Sequence, residues 1–357
     1  MSPADKENPL IVTKISPVTE IEPFPFEPVP HAGMHEGLVL KVHSGQFIVH
    51  ADADKASQPH TLHCTLRGNL KKKFTYSSSG SQPRRVTRAK QPRHADVVAV
   101  GDRVRYTTED EQTGVIEEVL PRTTRFARSA FRGREQTLVT NLDQLVIVFA
   151  CVEPNPDLWR IDRWIVAAES NGLEPLIIAN KRDRTDEATF QERFEEYARI
   201  GYRVIATSAK QTIGITELRA ALRGRVSAFT GPSGVGKSSL LNSVQPELKL
   251  DTGEIGLVTF KGRHTTTVRE LIPLETGGWV ADTPGLRNLE LLAMSREELL
   301  EGFIEFAAAL ETPCRFRNCI HENEPGCSLK AAVANGQISQ RRYDSFLLLA
   351  RELEAGR

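Results

Sequence analysis

The chain has 357 residues, room for two or three domains with cores of their own, and it balances 46 Lys and Arg against 46 Asp and Glu. A neutral total carries no overall signal for a nucleic-acid partner, so any such signal must lie in local clusters. The opening Met1-Ser2-Pro3-Ala4-Asp5-Lys6 lacks the basic-then-apolar layout of a secretory leader. The clearest apolar run, 145–152, is eight residues long where a membrane helix needs about 20, so a soluble, cytoplasmic protein with no membrane partner is expected.

Residues 1–33 hold seven prolines and little apolar periodicity, which reads as an extended or disordered arm. From Glu36 the texture changes: 37–42 and 46–50 read as strands about a Ser44-Gly45 turn, and 61–66 continues the alternation. Segments 97–100 and 103–106 read as a hairpin about Gly101-Asp102, and 114–120 adds one more strand. Short strands at this spacing suit a small β-barrel of the oligonucleotide-binding (OB) type, although other small barrels share the spacing.

Between Arg67 and Arg93 lie nine basic residues (Arg67, Lys71, Lys72, Lys73, Arg84, Arg85, Arg88, Lys90, Arg93), with Phe74 and Tyr76 interleaved and no acidic residue. This is either a phosphate-contacting loop or a solvated insertion, and a barrel of the nucleic-acid-binding kind favours the first.

From about Asn141 strands and helices alternate, which implies a parallel sheet. Strands are expected at 145–149, 176–179, 203–206, 225–230 and 279–281, with helices at 158–170, 188–200 and 215–222. After Ser295 the chain reads helical, with a Cys/His insertion at 314–327 and a last helix ending near Leu353.

Gly231-Pro232-Ser233-Gly234-Val235-Gly236-Lys237-Ser238 fits G-x-x-x-x-G-K-[ST] between a predicted strand and the helical stretch beginning at Ser239. Glycines let the backbone N–H groups turn toward a phosphate, and the helix N-terminus adds positive potential. Lys237 is expected to bridge the β- and γ-phosphates, and the Ser238 hydroxyl to ligate Mg²⁺.

Asn180-Lys181-Arg182-Asp183 follows another strand and fits N-K-x-D. An Asp183 carboxylate can accept both N1–H and N2–H of guanine; adenine offers neither, so ATP would leave that carboxylate desolvated and unpaired. The Lys181 stem can lie along the purine face, and Asn180 can tie this loop to the phosphate loop. Thr207-Ser208-Ala209-Lys210, after the next strand, resembles S-A-K, in which the Ala209 N–H meets guanine O6. GTP and GDP are the ligands expected.

Asp282-Thr283-Pro284-Gly285 fits D-x-x-G, with Asp282 holding Mg²⁺ through water and the Gly285 N–H sensing the γ-phosphate. The run Gly262-Arg263-His264-Thr265-Thr266-Thr267 reads as the first switch, where Thr265 or Thr266 completes the Mg²⁺ shell. Ras-like enzymes place a water-orienting Gln after D-x-x-G, and here Leu286 stands there. His264 is a candidate to act on the water instead, against the plain alternative that it packs or meets a partner.

Of five cysteines, three lie with one His in C-x4-C-x-H-x5-C: Cys314, Cys319, His321 and Cys327. Three thiolates and an imidazole suit a structural, tetrahedral Zn²⁺ with no open position, and the polar residues between them could not build a core alone. Cys64 and Cys151 sit in apolar, strand-like runs and read as core.

The motifs run N-K-x-D, S-A-K, phosphate loop, Thr switch, D-x-x-G, a circular permutation of the usual GTPase order. With that order and the Cys/His cluster, the chain resembles the RsgA (YjeQ) family of bacterial small-subunit assembly GTPases over roughly residues 36–350. The resemblance implies an OB barrel, an α/β P-loop GTPase domain and a mainly helical zinc domain. It implies GTP hydrolysis stimulated by the small ribosomal subunit during its late maturation, with contact to its rRNA. The layout expected is an arm at 1–33, a barrel at 34–128, a permuted GTPase domain at 129–298 and a zinc domain at 299–357, in a monomer.

Three rivals remain. A P-loop metabolic kinase would have no need of N-K-x-D. A nucleotide-gated RNA-binding scaffold with little turnover is kept open by Leu286. A permuted GTPase of another family is disfavoured by the Cys/His end.

Overall fold

The computed structural model describes residues 10–12, 33–43, 45–52, 60–71, 97–130, 134–250, 270–282 and 294–355. The chain divides into two compact units, one built on residues 1–142 with 264–274 and 278–288, the other on 143–263, 275–277 and 289–357.

The first unit contains β1 (Leu10–Val12), β2 (His35–His43), β3 (Gln46–Ala51), β4 (Thr61–Leu66), β5 (Arg103–Thr108), β6 (Thr113–Val119), β7 (Arg125–Ala130) and β8 (Arg134–Thr140). Strands β2, β3 and β4 pair antiparallel, β4 runs parallel to β6, β6 pairs antiparallel with β5, and β5 returns to β2. Closure of five strands leaves no free edge, as expected for an OB-type barrel. Alternation explains its interior: Phe47, Val49 and Ala51 of β3 point inward with Val39, Leu62, Val104, Tyr106 and Ile116.

One expected strand is absent. Residues 97–100 are apolar and Val98, Ala99 and Val100 are buried, but they form a turn. The Ala99 N–H donates to the fully buried Asp102 carboxylate (2.7 Å), which also accepts Arg122 Nε and Nη2 (2.7 Å each) and Thr140 Oγ1 (2.8 Å). The buried carboxylate gathers donors around itself, and the chain bends to supply them.

Strands β7 and β8 form an antiparallel hairpin just before the parallel sheet, and β1, inside the Pro-rich arm, pairs with β7. The remainder of that arm and most of the basic run, residues 72–96, lie outside the described residues. Arg67, at its start, is committed to Glu117 on β6.

The second unit opens with β9 (Gln144–Ala150), α1 (Leu158–Glu169), β10 (Glu174–Asn180), α2 (Glu187–Ile200), β11 (Arg203–Ala206), α3 (Ile215–Leu222), β12 (Val226–Thr230) and α4 (Lys237–Val244). The strands are parallel in the order β11-β10-β9-β12. Every residue of β9 is buried, which is why it reads as a continuous apolar run. Helix α4 begins at Lys237 itself, so the last residues of the phosphate-loop motif form its first turn.

Strands β13 (Glu270–Pro273) and β14 (Trp279–Asp282) form an antiparallel hairpin belonging to the first unit. Glu270 of β13 meets Lys41 of β2 at 2.5 Å, and Trp279 of β14 packs edge-on against His50. The chain ends in α5 (Arg296–Glu301), opened by a Ser295–Glu298 capping box, then α6 (Phe306–Leu310), α7 (Ser328–Ala334) and α8 (Gln340–Ala355). Phe303, Phe306 and Phe346 form the aromatic centre of this helical end. Among the described residues no helix is long and apolar enough to cross a membrane.

Candidate functional site

Strand β10 delivers Asn180 to the C-terminal edge of the parallel sheet, where β11 delivers Thr207 and β12 delivers Gly231. Ligand sites of open α/β sheets lie at this edge because the loops there converge.

Asn180 is 2% exposed and knits three loops together. Its Nδ2 donates to the Val235 carbonyl of the phosphate loop (2.8 Å), and its Oδ1 accepts from Thr207 Oγ1 (3.1 Å). The Arg182 N–H donates to Thr207 O (3.0 Å) and the Thr207 N–H to Ala179 O (2.9 Å), so the two strand ends are laced by their backbones. Ser208 Oγ donates to Asp183 Oδ1 at 2.6 Å and accepts the Gln211 N–H at 3.1 Å, which aims the carboxylate. Ala209 follows directly, its carbonyl accepting from Ser243 Oγ of α4 (3.3 Å), and Lys210 is exposed.

Lys181 sits in the left-handed region (φ 60°) and its ammonium donates to the Glu153 carbonyl. Burial, aided by the Arg184 charge, lowers its pKa from 10.5 against the opposing pull of Glu153 and Asp183. The Arg182 side chain turns away from this edge: it binds Thr185 O (2.6 Å) and Glu187 and stacks 4.9 Å over the Phe190 ring.

Two glycines of the phosphate loop are sterically required. Gly231 has φ 145°, and a Cβ there would lie 2.2 Å from Val148 O; Gly236 has φ 96°, and a Cβ there would lie 2.5 Å from Asn180 Nδ2. Pro232 and Gly231 present carbonyls to Lys237 Nζ (2.8 and 2.7 Å), Ser233 and Gly234 are exposed, and Val235 is buried as the anchor. Ser238 and Ser239 are half-buried in the first turn of α4. A glycine-shaped loop ending in a helix N-terminus beside an ammonium can hold phosphate oxygens.

The switch residues are placed differently. His264, Thr265, Thr266 and Gly285 lie outside the described residues. Asp282 closes β14, with its backbone described.

Cys314, Cys319, His321 and Cys327 bring their ligand atoms within 4.8 Å of one another. His321 turns Nδ1 inward, 3.6 Å from Cys314 Sγ and 3.4 Å from Cys327 Sγ. A tetrahedral ion with bonds of about 2.0–2.3 Å spaces its ligands by about 3.5 Å, so this donor set fits a metal ion. Burial and the neighbouring thiols push the Cys319 thiol up to about 12. Burial alone would do the same to Cys314, but the Ser328 N–H, 3.3 Å from its sulfur, leads the hydrogen bonds that bring its pKa below the usual 9.0. Deprotonated, three thiolates this close would repel one another, and a cation among them would offset that repulsion. Tyr343 OH donates to His321 O (2.6 Å), where His321 sits in the left-handed conformation (φ 63°).

The family model described as RsgA GTPase matches residues 119–292. The "Small ribosomal subunit biogenesis GTPase RsgA" of Moorella thermoacetica is 40% identical over 320 residues, 90% of this chain and 98% of that protein. Its namesake from Alkaliphilus metalliredigens is 40% identical over 260 residues, 72% of this chain and 86% of that one. The chain belongs to the RsgA GTPase family. Two solved RsgA-type structures agree with the fold: YjeQ from Thermotoga maritima has a TM-score of 0.68 at 34% identity, covering 90% of this chain and 98% of its own. YloQ, described as a circularly permuted GTPase, has a TM-score of 0.68 at 29% identity, covering 93% and 99%. This RsgA GTPase is therefore a GTP hydrolase whose motif order follows from permutation of the GTPase fold.

One cluster of this RsgA GTPase escaped sequence reading. Asp162 of α1 is fully buried and accepts Arg342 Nη1 (2.7 Å), Arg341 Nη1 (2.8 Å) and Tyr197 OH (2.8 Å). The adjacent Arg341-Arg342 in an otherwise core-facing stretch of the last helix was the available signal.

Proposed function

We propose that this RsgA GTPase binds the small ribosomal subunit and its rRNA, assists late maturation of the subunit, and hydrolyses GTP to GDP and phosphate when the subunit stimulates it. The observation that carries the nucleotide half is Asn180, whose one side chain joins the N-K-R-D loop to the phosphate loop and to Thr207. The names of the relatives support the ribosomal half.

In this reading Asp183, aimed by Ser208, accepts N1–H and N2–H of guanine, and the Ala209 N–H meets O6. Lys181 and Lys210 flank the base. Residues 231–239 cradle the phosphates, with Lys237 at the β- and γ-phosphates. Ser238, Asp282 and either Thr265 or Thr266 hold Mg²⁺, which supplies charge neutralisation on the phosphates when bound. Gly285 senses the γ-phosphate, and His264 acts on the attacking water. The cluster of Cys314, Cys319, His321 and Cys327 holds one structural Zn²⁺. The layout is an arm (1–33), a barrel (34–128), a GTPase domain (129–298) and a zinc domain (299–357), in a cytoplasmic monomer.

GTP hydrolysis by the purified protein, with and without small subunits, tests this. A slow basal rate that rises strongly only with small subunits is expected. Tight GTP binding with no stimulation would contradict the ribosomal half and favour a binding module of little turnover.

A further inference from the structure

Three consecutive residues of α8 tie together α1, α2, Glu305 and the segment of the Cys/His cluster, the two arginines sharing Asp162. Arg341 Nε donates to Glu196 of α2 (2.6 Å) and its Nη1 to Asp162 of α1 (2.8 Å). Arg342, 1% exposed at its side chain, joins Asp162 to Glu305 (2.6 Å) and lies 4.4 Å over the Phe303 ring. Tyr343 OH holds the carbonyl of His321, one of the four metal-cluster residues (2.6 Å).

Helix α2 carries this grip to the base-reading loop. It is 14 residues long, a rod of about 21 Å at 1.5 Å per residue. Near its end, Tyr197 OH bonds Asp162 (2.8 Å). In its middle, Arg193 donates to the Cys151 carbonyl, while the Cys151 N–H donates to Asn180 O (2.7 Å). At its start, Glu187 and Phe190 hold the Arg182 guanidinium.

A buried ionic network is a poor source of net stability, since packed apolar side chains would serve as well or better. What it supplies is geometry: two carboxylates on two helices are fixed against one guanidinium. We propose that Arg341 is a positioning residue for the loop 180–183, and that the turn 341–343 couples this loop to the metal cluster. The proposal rests on the reading of that loop as the guanine site. By linkage, whatever displaces the cluster weakens guanine nucleotide, and nucleotide steadies the cluster to the same degree.

The test uses the full-length, metal-loaded protein and Arg341→Met, Arg341→Lys and Tyr343→Phe. Amide exchange at 180–190, the Kd for GDP, metal content and kcat at saturating GTP are measured for each. Arg341→Met is expected to keep one metal per chain, to speed exchange at 180–190, and to weaken GDP about five- to tenfold. Its KM for GTP should rise in step while kcat stays within about twofold. Arg341→Lys, which keeps a charge able to reach one carboxylate, should recover part of the loss. Should Arg341→Met fail to fold, Tyr343→Phe removes a single hydroxyl and should shift the same readouts in the same direction by about twofold. Unchanged exchange at 180–190 and unchanged GDP affinity in the folded variants, with only Tm lowered, would overturn the proposal. Failure of the unaltered protein to bind GDP would sink the guanine reading alone, since exchange at 180–190 still decides the coupling.

Discussion

The N-K-R-D and S-A-K loops and the Cys/His cluster are short polar segments of the second unit, yet different things hold them in shape. At the nucleotide edge the protein is its own scaffold: Asn180 bridges three loops, Ser208 aims Asp183, and Gly231 and Gly236 of the phosphate loop fit spaces where a Cβ would collide. At the Cys/His cluster Tyr343 holds the His321 carbonyl and the Ser328 N–H meets Cys314 Sγ, while four donors that suit a metal ion converge. Its three sulfurs and one imidazole nitrogen lie within 4.8 Å of one another. The first site is preorganised by packing; the second, in the function proposed above, is completed by a cation. Polar residues in loops thus carry two distinct energetic dependences within one unit.

The strongest way to sharpen that contrast is to remove the metal. Chelation, or Cys327→Ser, is expected to unfold the segment around 312–328, because metal-binding free energies of about 10–16 kcal/mol serve as folding free energy in such small sites. Limited proteolysis should then cut within 312–328 while the barrel resists, and a cluster that stays protected without metal would break the contrast. Next in size is Gly236→Ala. It forces a Cβ at φ 96° to within 2.5 Å of Asn180 Nδ2. Loss of GDP affinity of about 100-fold is expected, read by titration, with the far-ultraviolet spectrum retained. Ser208→Ala should cost less, about tenfold in GDP affinity, since one hydrogen bond to a charged group is lost and Asp183 remains. An unchanged Kd in this variant would mean that Ser208 does not aim the carboxylate.

The smallest effect belongs to the first unit and to pH. Burial lowers the pKa of His50 below 6.5, where it packs on Trp279. The unfolded chain therefore binds this proton more readily than the folded one. Stability is full above pH 6.5 and falls as pH drops from 6.5 through the lowered folded value. Thermal melts between about pH 7.5 and 5.5 should show a modest decline that His50→Gln reduces. An equal decline in the variant would assign it to other groups.

How legible all this was depended on how local the cause was. The phosphate loop and N-K-R-D were plain, because each is one strand, one turn and residue types that only that turn tolerates. Strand β9 was plain because burial on both faces leaves only apolar residues after Gln144 at its start. Residues 97–100 misled because burial and strand share apolarity. What bends them is the Asp102 carboxylate with Arg122 and Thr140, partners 20 and 38 residues away. Strands β7 and β8 lack clean alternation, so no period announced them. Arg342 drew no reading from the sequence; its partner Asp162 lies 180 residues earlier, and only folding brings them together. The side chain of Arg182, inside a motif, proved to serve α2.

The central claim is a guanine site assembled by the protein before any ligand arrives. It is tested most directly by titrating the metal-loaded protein with GDP and with ADP, alongside Asp183→Ala. The account predicts tight GDP binding, ADP weaker by about 10⁴-fold or more, and collapse of that preference in the variant. Comparable affinity for GDP and ADP in the unaltered protein, or a preference that survives loss of Asp183, would contradict it.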